Sequence, residues 1–303
     1  KKVNIDRVEW MAMPDQGTAI AALQRGELDI CSSPPLDLLP VLRGRRDIVI
    51  STTNPEGWVA YARPNFLHPP FDKPEARRAL QLAVRQAEVV AAVGADAAWG
   101  LRECFSFLAC GGANESEGGT EAIRRADLAE ARRLLQSIGY DGTPVVFIAP
   151  GDNEPLRIIS TVTAEQMREA GFVVDVQFSD FASMMARRNR REVPSQGGWN
   201  IFPMLAFAFE LDSPASNFLL GTACDGTGYA GWACDQALFD TRQAWLREPD
   251  PAKRRQLVQQ MQLEAAKLMP VALLGQYVRP ILHRSTVRNL VQAPVTVMWN
   301  IDL

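Results

Sequence analysis

The sequence predicts an α/β fold, because strand-like and helical segments alternate in two separate stretches of the chain. In the first stretch, residues 5–13 alternate like a strand, residues 18–26 form a helix, and residues 28–30 indicate a short buried strand. A second stretch, from Asp127 to residue 190, repeats helix and strand twice. Three of the predicted helices end where a glycine can take the left-handed conformation, at Gly26, Gly139 and Gly171.

Each element is predicted from its periodicity and from its flanking residues. The predicted helices cover residues 18–26, 36–43, 74–94, 127–138, 155–170, 180–190, 237–246 and 252–268. The predicted strands cover residues 5–13, 28–30, 48–51, 145–149, 172–178, 199–209, 271–278 and 280–283. Residues 62–74 carry four prolines without periodicity and are predicted to form an extended connector. Loops are predicted over residues 100–120 and 221–232.

The composition is that of a globular protein and excludes several classes. The chain has 303 residues, a length typical of about two domains, with 47% hydrophobic and 22% charged residues. Its net charge of −3 gives no electrostatic reason to bind nucleic acid or an anionic membrane. The apolar runs, such as residues 206–209, are far too short for direct membrane insertion. The chain begins at Lys1 without an initiating Met or a signal peptide, so we expect a mature, trimmed or partial sequence.

Four of the five cysteines form two pairs that are close in sequence. Cys104 lies near Cys110, and Cys224 lies near Cys234, both in loop-like sequence. This pattern favours two loop-closing disulfides and an oxidising compartment, with unpaired loop thiols as the alternative. Cys31 follows an apolar stretch and is interpreted as a buried inert thiol.

Motifs for catalysis, metal binding and phosphate binding are absent from the sequence. No G-x-S-x-G, H-E-x-x-H or P-loop pattern occurs, and the cysteine spacings do not fit zinc sites. The two histidines, His68 and His283, lie in the connector and in the last strand, where a structural role is favoured. No metal or cofactor is therefore predicted.

Arginines 187, 188, 190 and 191 form the strongest run of charge. They end a predicted helix, where cations complement the helix dipole. A solvated helix end is the favoured interpretation, and a site for an anionic ligand is the alternative.

The segment from Trp199 to Phe218 combines aromatic side chains with two carboxylates. Its aromatic residues are followed by Glu210 and Asp212, which would share one face of a strand. Aromatic walls beside a carboxylate can hold an ammonium or another polar group of a ligand. A buried strand with two solvated turn acids is the alternative, and carboxylates adjacent on one strand argue against a glycosidase-type pair. The candidate ligand-binding residues are Trp199, Phe207, Phe209, Glu210, Asp212 and Trp232.

Five segments, in their order along the chain, resemble a known family. They are the strand–helix segment ending in GELDI, then HPPFDKPEARRAL, DLAEARRLLQSIGYDG, TAEQMREAGFVVDV and GYAGWACD. Together they resemble the extracytoplasmic solute-binding proteins of peptide/nickel-type ABC importers, family 5. The resemblance implies a type II periplasmic-binding-protein-like fold of two lobes, with mixed sheets flanked by helices. Only the C-terminal part of the family is matched: residues 1–66 would belong to lobe I, residues 67–270 to lobe II, and residues 271–303 would return to lobe I.

The resemblance also implies a ligand site and partners. Alignment on Pro214 puts the family's ligand-binding acid at Glu210 and its aromatic at Phe207, while Met204 stands where a basic residue is usual. Trp232 matches an aromatic near the cleft, with packing against the nearby cysteine loop as the alternative. The implied protein is a periplasmic monomer and not an enzyme, which captures a peptide or similar small polar solute between two lobes and delivers it to a membrane permease. The alternatives are a hydrolase or transferase using Glu210 and Asp212, and a sensor on the same scaffold.

Overall fold

The structure is a computed structural model that describes residues 4–13, 15–94 and 102–303. The start of the chain at Lys1 and the first two residues of the predicted loop 100–120 lie outside these ranges. The chain forms two compact units. The small unit comprises the described parts of Lys1–Gly57, Gly94–Leu101 and Tyr277–Leu303, and the large unit comprises Trp58–Val93 and Arg102–Gln276. The assignment of these stretches to two lobes stays a prediction.

The described residues form helices and strands in alternation. The helices are α1 (Gln16–Arg25), α2 (Leu39–Leu42), α3 (Pro74–Ala83), α4 (Gln86–Ala92), α5 (Leu128–Ser137), α6 (Glu154–Glu169), α7 (Phe181–Arg187), α8 (Ala208–Asp212), α9 (Gln236–Arg247) and α10 (Pro251–Leu268). The strands are β1 (Ile30–Cys31), β2 (Ile48–Ser51), β3 (Trp58–Pro64), β4 (Val145–Pro150), β5 (Val174–Ser179), β6 (Ile201–Phe207), β7 (Ala272–Tyr277) and β8 (Ile281–Arg284). None of the described helices has both the length and the apolar composition that a membrane span requires.

The small unit is built on an antiparallel sheet in the order β1-β8-β2. Asp15 begins α1 by accepting a hydrogen bond from the backbone N–H of Thr18 at 2.6 Å. The apolar face of α1, with Ile20 and Leu23, packs on Cys31 and Leu282 of the sheet. The periodicity of α1 therefore predicts both the helix and the face that it buries.

The large unit has a mixed sheet in the order β5-β4-β6-β3-β7. β4 pairs parallel with β5 and with β6, and β3 pairs antiparallel with β6. Along β4, Phe147 faces one apolar cluster with Met167 of α6, and Ile148 faces another with Met184 of α7. Because successive strand residues point to opposite faces, β4 is buried on both sides. The α/β class with a mixed sheet flanked by helices is confirmed.

One strand prediction and one connector prediction from the sequence are wrong. Residues 5–13 form no regular element, and Val8 and Trp10 within them are exposed. Their alternation predicts which side chains face the same way, but a strand also needs a hydrogen-bonding neighbour. The predicted connector 62–74 begins inside β3, whose Pro64 is the last residue paired with β6. Proline is tolerated at the end of a strand, where its missing N–H does not interrupt the hydrogen bonds of the sheet.

The single helix predicted over residues 74–94 is divided into α3 and α4. At the break, the side chain of Gln166 in α6 accepts a hydrogen bond from the N–H of Arg85 at 3.1 Å and donates one to the Arg85 carbonyl at 3.3 Å. A buried amide from a distant helix therefore replaces the helical hydrogen bonds. The local sequence does not carry this information.

Both predicted disulfides are present. The sulfurs of Cys104 and Cys110 and those of Cys224 and Cys234 are bonded, and Cys31 is free and buried. Cys224 and Cys234 are exposed, whereas Cys104 and Cys110 are buried. The disulfides therefore close one surface loop and one interior loop.

We expect thiol labelling to find one reactive site among these five cysteines. After denaturation without reductant, alkylation and peptide mapping should place the label on Cys31 alone, because burial protects this thiol only in the folded state. Reduction before alkylation is the control and should label all five. Labelling of any other cysteine without reductant would contradict the pairing.

Candidate functional site

The C-terminal end of β6 turns directly into the short helix α8, which carries both candidate carboxylates. Glu210 is the third residue of α8, and its Oε2 accepts a hydrogen bond from the backbone N–H of Phe207 at 3.1 Å. The first N–H groups of a helix lack partners within the helix, and Glu210 supplies one. No hydrogen bond is recorded for Oε1 of Glu210 within the described part of the chain.

The prediction that Glu210 and Asp212 share one strand face is wrong, because both residues are helical. Residues two apart on a helix point in different directions. Asp212 Oδ1 accepts a hydrogen bond from the Asn114 N–H, and the Asn114 amide donates to the Asp212 carbonyl, both at 3.0 Å. A Cβ atom on Gly112 would lie 2.1 Å from Asp212 Oδ1, so this close approach requires glycine. Asp212 thus ties the segment that follows the interior disulfide loop to α8.

Three aromatic rings form a row beside Glu210. The rings of Trp58 and Phe207 have centroids 3.9 Å apart, and those of Phe207 and Phe209 are 5.5 Å apart. Trp58 lies opposite Phe207 in the β3–β6 ladder. Phe209 is 40% exposed, so the row offers apolar surface to solvent. We call these three rings and Glu210 the aromatic–acid group.

Trp199 and Trp232 lie at the other end of β6. Trp199 is fully buried just before β6 begins, and its ring centroid is 5.0 Å from Phe202 and 6.0 Å from Trp232. Seven strand residues span roughly 20 Å, so these tryptophans are separated from the aromatic–acid group along β6. The structure therefore divides the six predicted ligand-binding residues into two sets.

A second polar group in the large unit contains two arginines and two tyrosines. The Tyr61 and Tyr229 hydroxyls are 3.2 Å apart, and Arg188 Nη1 donates to the Tyr229 hydroxyl at 2.7 Å. The guanidinium carbons of Arg63 and Arg188 lie 5.5 Å and 5.1 Å from the centroid of the Tyr229 ring. We call these four residues the arginine–tyrosine cluster.

Arg63 is fully buried in this cluster, as is Tyr61. It donates to the carbonyls of Ala230, Leu219 and Pro270 at 3.2, 3.3 and 3.0 Å. Burial lowers the pKa of Arg63 to about 10 and raises the pKa of Tyr61. No carboxylate forms a recorded ion pair with Arg63 or Arg188 in the described ranges.

Sequence reasoning missed most of this cluster. It favoured a solvated helix end for the arginine run, but Arg187 donates to Gln177 and to the carbonyls of Gly197 and Gly198. Arg191 stacks on Trp232, with its guanidinium carbon 4.7 Å from the ring centroid. The sequence contains one sign of this cluster: Arg63 is a charged residue directly after the apolar run Val59–Ala62.

One group of potential metal ligands occurs in the part of the chain that the structure describes. The ligand atoms of Cys110, Glu115 and Glu117 lie within 4.8 Å of one another. The sulfur of Cys110 is bonded to Cys104, so it cannot act as a thiolate ligand. The residues present therefore do not fit a metal site.

Two sheets with flanking helices define an α/β protein, and the sequence comparison identifies its family. Residues 1–228 match the family model described as bacterial extracellular solute-binding proteins, family 5 middle. The chain belongs to this family. The resemblance inferred from the sequence motifs is thereby confirmed.

Individual relatives agree with this assignment. The chain is 28% identical over its whole length to a probable peptide ABC transporter periplasmic-binding protein, y4tO, of Sinorhizobium fredii, and covers 57% of that protein. It is 25% identical to di/tripeptide-binding protein 1 of Pseudomonas aeruginosa, with 93% of this chain and 50% of the relative covered. The chain thus spans about half the length of these relatives.

A solved structure supports the fold. The periplasmic binding protein DppA from Helicobacter pylori, in complex with the peptide STSA, matches with a TM-score of 0.80 at 16% identity, covering 96% of this chain and 56% of DppA. At this identity the likeness shows the periplasmic-binding-protein fold alone.

Proposed function

We propose that the protein is the extracytoplasmic solute-binding component of an ABC importer. It captures a peptide or a similar small polar organic solute in a cleft between two lobes and delivers it to a membrane permease. The match to the family 5 model over most of the chain carries this proposal. The two relatives described above are named as peptide-binding proteins, which favours peptides as the ligand class.

Residues 1–66 and 271–303 are proposed to belong to lobe I, and residues 67–270 to lobe II. The protein is proposed to act in the periplasm as a monomer. Native mass spectrometry of the full-length protein, purified without refolding, tests capture and stoichiometry together. A co-purified small solute on a single chain is expected. A protein that carries no solute, and gains none when offered peptides, would contradict the proposal.

The hydrolase or transferase alternative gains no support from the position of the carboxylates. Glu210 caps α8 and Asp212 holds Asn114, so both carboxylates already have backbone partners. His68 contacts the carbonyl of Arg191, and His283 contacts the carbonyl of Arg284. No imidazole is therefore paired with either acid among the described residues, so neither histidine supplies a second catalytic group beside them.

The aromatic–acid group is the proposed contact for the ligand's cationic or polar end. Phe207 and Phe209 supply apolar surface, and Oε1 of Glu210 is available to accept a charge-assisted hydrogen bond. Trp199 and Trp232, at the other end of β6, are proposed to belong to a second part of the ligand-binding surface, and Asp212 is proposed to support the first. Of these, Asp212 acts indirectly through the loop that it holds.

Glu210→Gln is expected to weaken binding of the natural ligand by roughly 10- to 100-fold, because it removes the charge from the proposed contact. Isothermal titration calorimetry on the full-length protein measures this change. Asp212→Asn is the matched control, since it also neutralises a carboxylate of α8. It should lower the thermal midpoint and change affinity less than Glu210→Gln does. An unchanged affinity in Glu210→Gln with a loss in Asp212→Asn would reverse the assigned roles.

A further inference from the structure

The guanidinium group of Arg188 is hydrogen-bonded through Nη1, whereas its Nε–Nη2 edge has no recorded partner among the described residues. We call this unpaired edge the open edge. Nη1 of Arg188 donates to the Tyr229 hydroxyl at 2.7 Å. Its Nε is buried and has no hydrogen-bond partner, and no bond is recorded for Nη2 in the described ranges. A buried donor without an acceptor costs free energy, so a group with such a donor is incomplete.

The open edge of Arg188 is the edge that arginines use to bind carboxylates. Elsewhere in this chain, Arg25 and Arg45 hold Glu27 and Asp47 through Nε and Nη2, with distances of 2.6–3.0 Å. Arg133 holds Glu130 in the same way, at 2.6 and 2.7 Å. This fork matches the two oxygens of a carboxylate in planar geometry.

In the neighbouring Arg187, the same edge of the guanidinium group is fully hydrogen-bonded. Arg187 uses Nε and Nη2 for the carbonyls of Gly197 and Gly198, at 3.1 and 2.8 Å. Arg188, one position later, has no such acceptors. The chain itself therefore satisfies this edge of Arg187, whereas among the described residues it leaves the same edge of Arg188 without an acceptor.

The surroundings of Arg188 favour an anion. Arg63 lies against the same Tyr229 ring, is fully buried, and has an unpaired Nη2 of its own. Trp199 adds a third buried donor, Nε1, without a partner. Two positive charges and three unpaired donors surround Tyr229 and Phe202, and no carboxylate of the described chain neutralises them. Arg188 and Tyr229 are both partly exposed, so part of this group faces solvent although Nε of Arg188 is itself buried.

We propose that the open Nε–Nη2 edge of Arg188 binds a carboxylate of the transported solute, and that the Tyr229 hydroxyl is the positioning group that holds the guanidinium in place. The inference rests on the proposed solute-binding function and names its ligand class: solutes with a free carboxylate. A peptide with an unblocked C-terminus and a non-peptide carboxylic acid both supply this chemistry.

The test compares two peptide mixtures on the full-length protein by calorimetry. One is a tripeptide mixture with free carboxyl termini, and the other is the same mixture with amidated termini. The wild type should prefer the free acids, and Arg188→Gln should lower affinity for them by roughly 10- to 100-fold without changing affinity for the amides. Arg190→Gln is the matched control, because Arg190 is exposed on the same helix end, and should change neither affinity. Equal wild-type affinity for acids and amides would overturn the proposal.

Further variants separate this role from a structural one. Arg188→Lys keeps the charge but not the fork, and Tyr229→Phe keeps the ring but not the hydroxyl. Both should reduce the preference for free acids over amides while the thermal midpoint stays close to that of the wild type. A lower midpoint with an unchanged preference in these variants would show a structural role only. If Arg188→Gln does not fold, Arg188→Lys and Tyr229→Phe provide the test instead.

A succinate titration distinguishes failure of the peptide hypothesis from failure of the carboxylate site. If the wild type binds neither peptide mixture, succinate alone at millimolar concentration is the probe. It should raise the thermal midpoint of the wild type and of Arg190→Gln, but not that of Arg188→Gln. Such a result rejects peptides as ligands and supports the carboxylate site. Equal shifts in all three proteins, or none, would reject the carboxylate site as well.

Discussion

Arg63→Met is expected to lower the free energy of unfolding by roughly 2–4 kcal/mol, because three carbonyls lose their donor. Burial lowers the pKa of Arg63 to about 10, which corresponds to about 3 kcal/mol for keeping the charge inside. Methionine removes this cost. It also leaves the carbonyls of Leu219, Ala230 and Pro270 unpaired, and each costs about 1–3 kcal/mol. The free energy lost with the three hydrogen bonds therefore exceeds the free energy recovered by removing the buried charge.

Urea unfolding monitored by tryptophan fluorescence measures this change. Arg78→Met is the matched control, since Arg78 is exposed on α3 and its replacement should stay within about 0.5 kcal/mol of the wild type. An equal stability of the two variants would mean that the three carbonyls find other donors. Arg63 would then not be the link between β3, the Tyr229 loop and the start of β7.

Gly231→Ala is expected to destabilise the protein by roughly 2–4 kcal/mol, for reasons of backbone geometry. Gly231 has a φ of +102°, which side chains other than glycine rarely adopt. A Cβ atom there would also lie 2.8 Å from the Pro64 carbonyl oxygen and 2.8 Å from Arg63 Nε. The loop must move away from β3 to accept it. This breaks the hydrogen bond from the Phe66 N–H to the Gly231 carbonyl, now 2.9 Å.

Gly228→Ala in the same loop is the matched control. A Cβ atom on Gly228 would be 3.5 Å from the nearest carbonyl oxygen, an ordinary contact, and its φ is not positive. Its unfolding free energy should stay within about 0.5 kcal/mol of the wild type. The same urea titration compares both variants. Similar losses in both would show that the loop is sensitive to any side chain and not to the geometry at Gly231.

The regular elements of the fold were predictable where short-range signals decide them. Asp127 begins α5 by accepting from the Glu130 N–H, and Asp250 begins α10 in the same way. Both caps are local and can be recognised from sequence. The break at Arg85 could not be predicted, because it depends on Gln166, which is brought near only by the packing of α6.

The candidate site was predictable in composition but not in arrangement. Glu210 and Phe207 were identified from a resemblance, and the structure places them together at the end of β6. The strand was expected to continue through Asp212, because the apolar run gives no stop signal before the Ser-Pro turn. Glu210 ends the strand by capping α8, which is a contact between side chain and backbone that periodicity does not report.

The arginine–tyrosine cluster shows a further limit of sequence reasoning. Tyr61 and Tyr229 are 168 positions apart, and they meet only because the Tyr229 loop folds back on β3. The run of arginines was visible, but its four members have different environments. Arg187 donates to two backbone carbonyls, Arg188 has an open edge, Arg190 faces solvent, and Arg191 stacks on Trp232.

The Cys224–Cys234 disulfide closes the loop that carries both Tyr229 and Trp232. A covalent closure removes extended conformations of this loop, so less conformational entropy would be lost on binding of the proposed solute. Less of the interaction energy would then be offset by ordering of the loop, which favours a higher affinity. Because Cys224 and Cys234 are exposed, this constraint is applied from the surface of the loop.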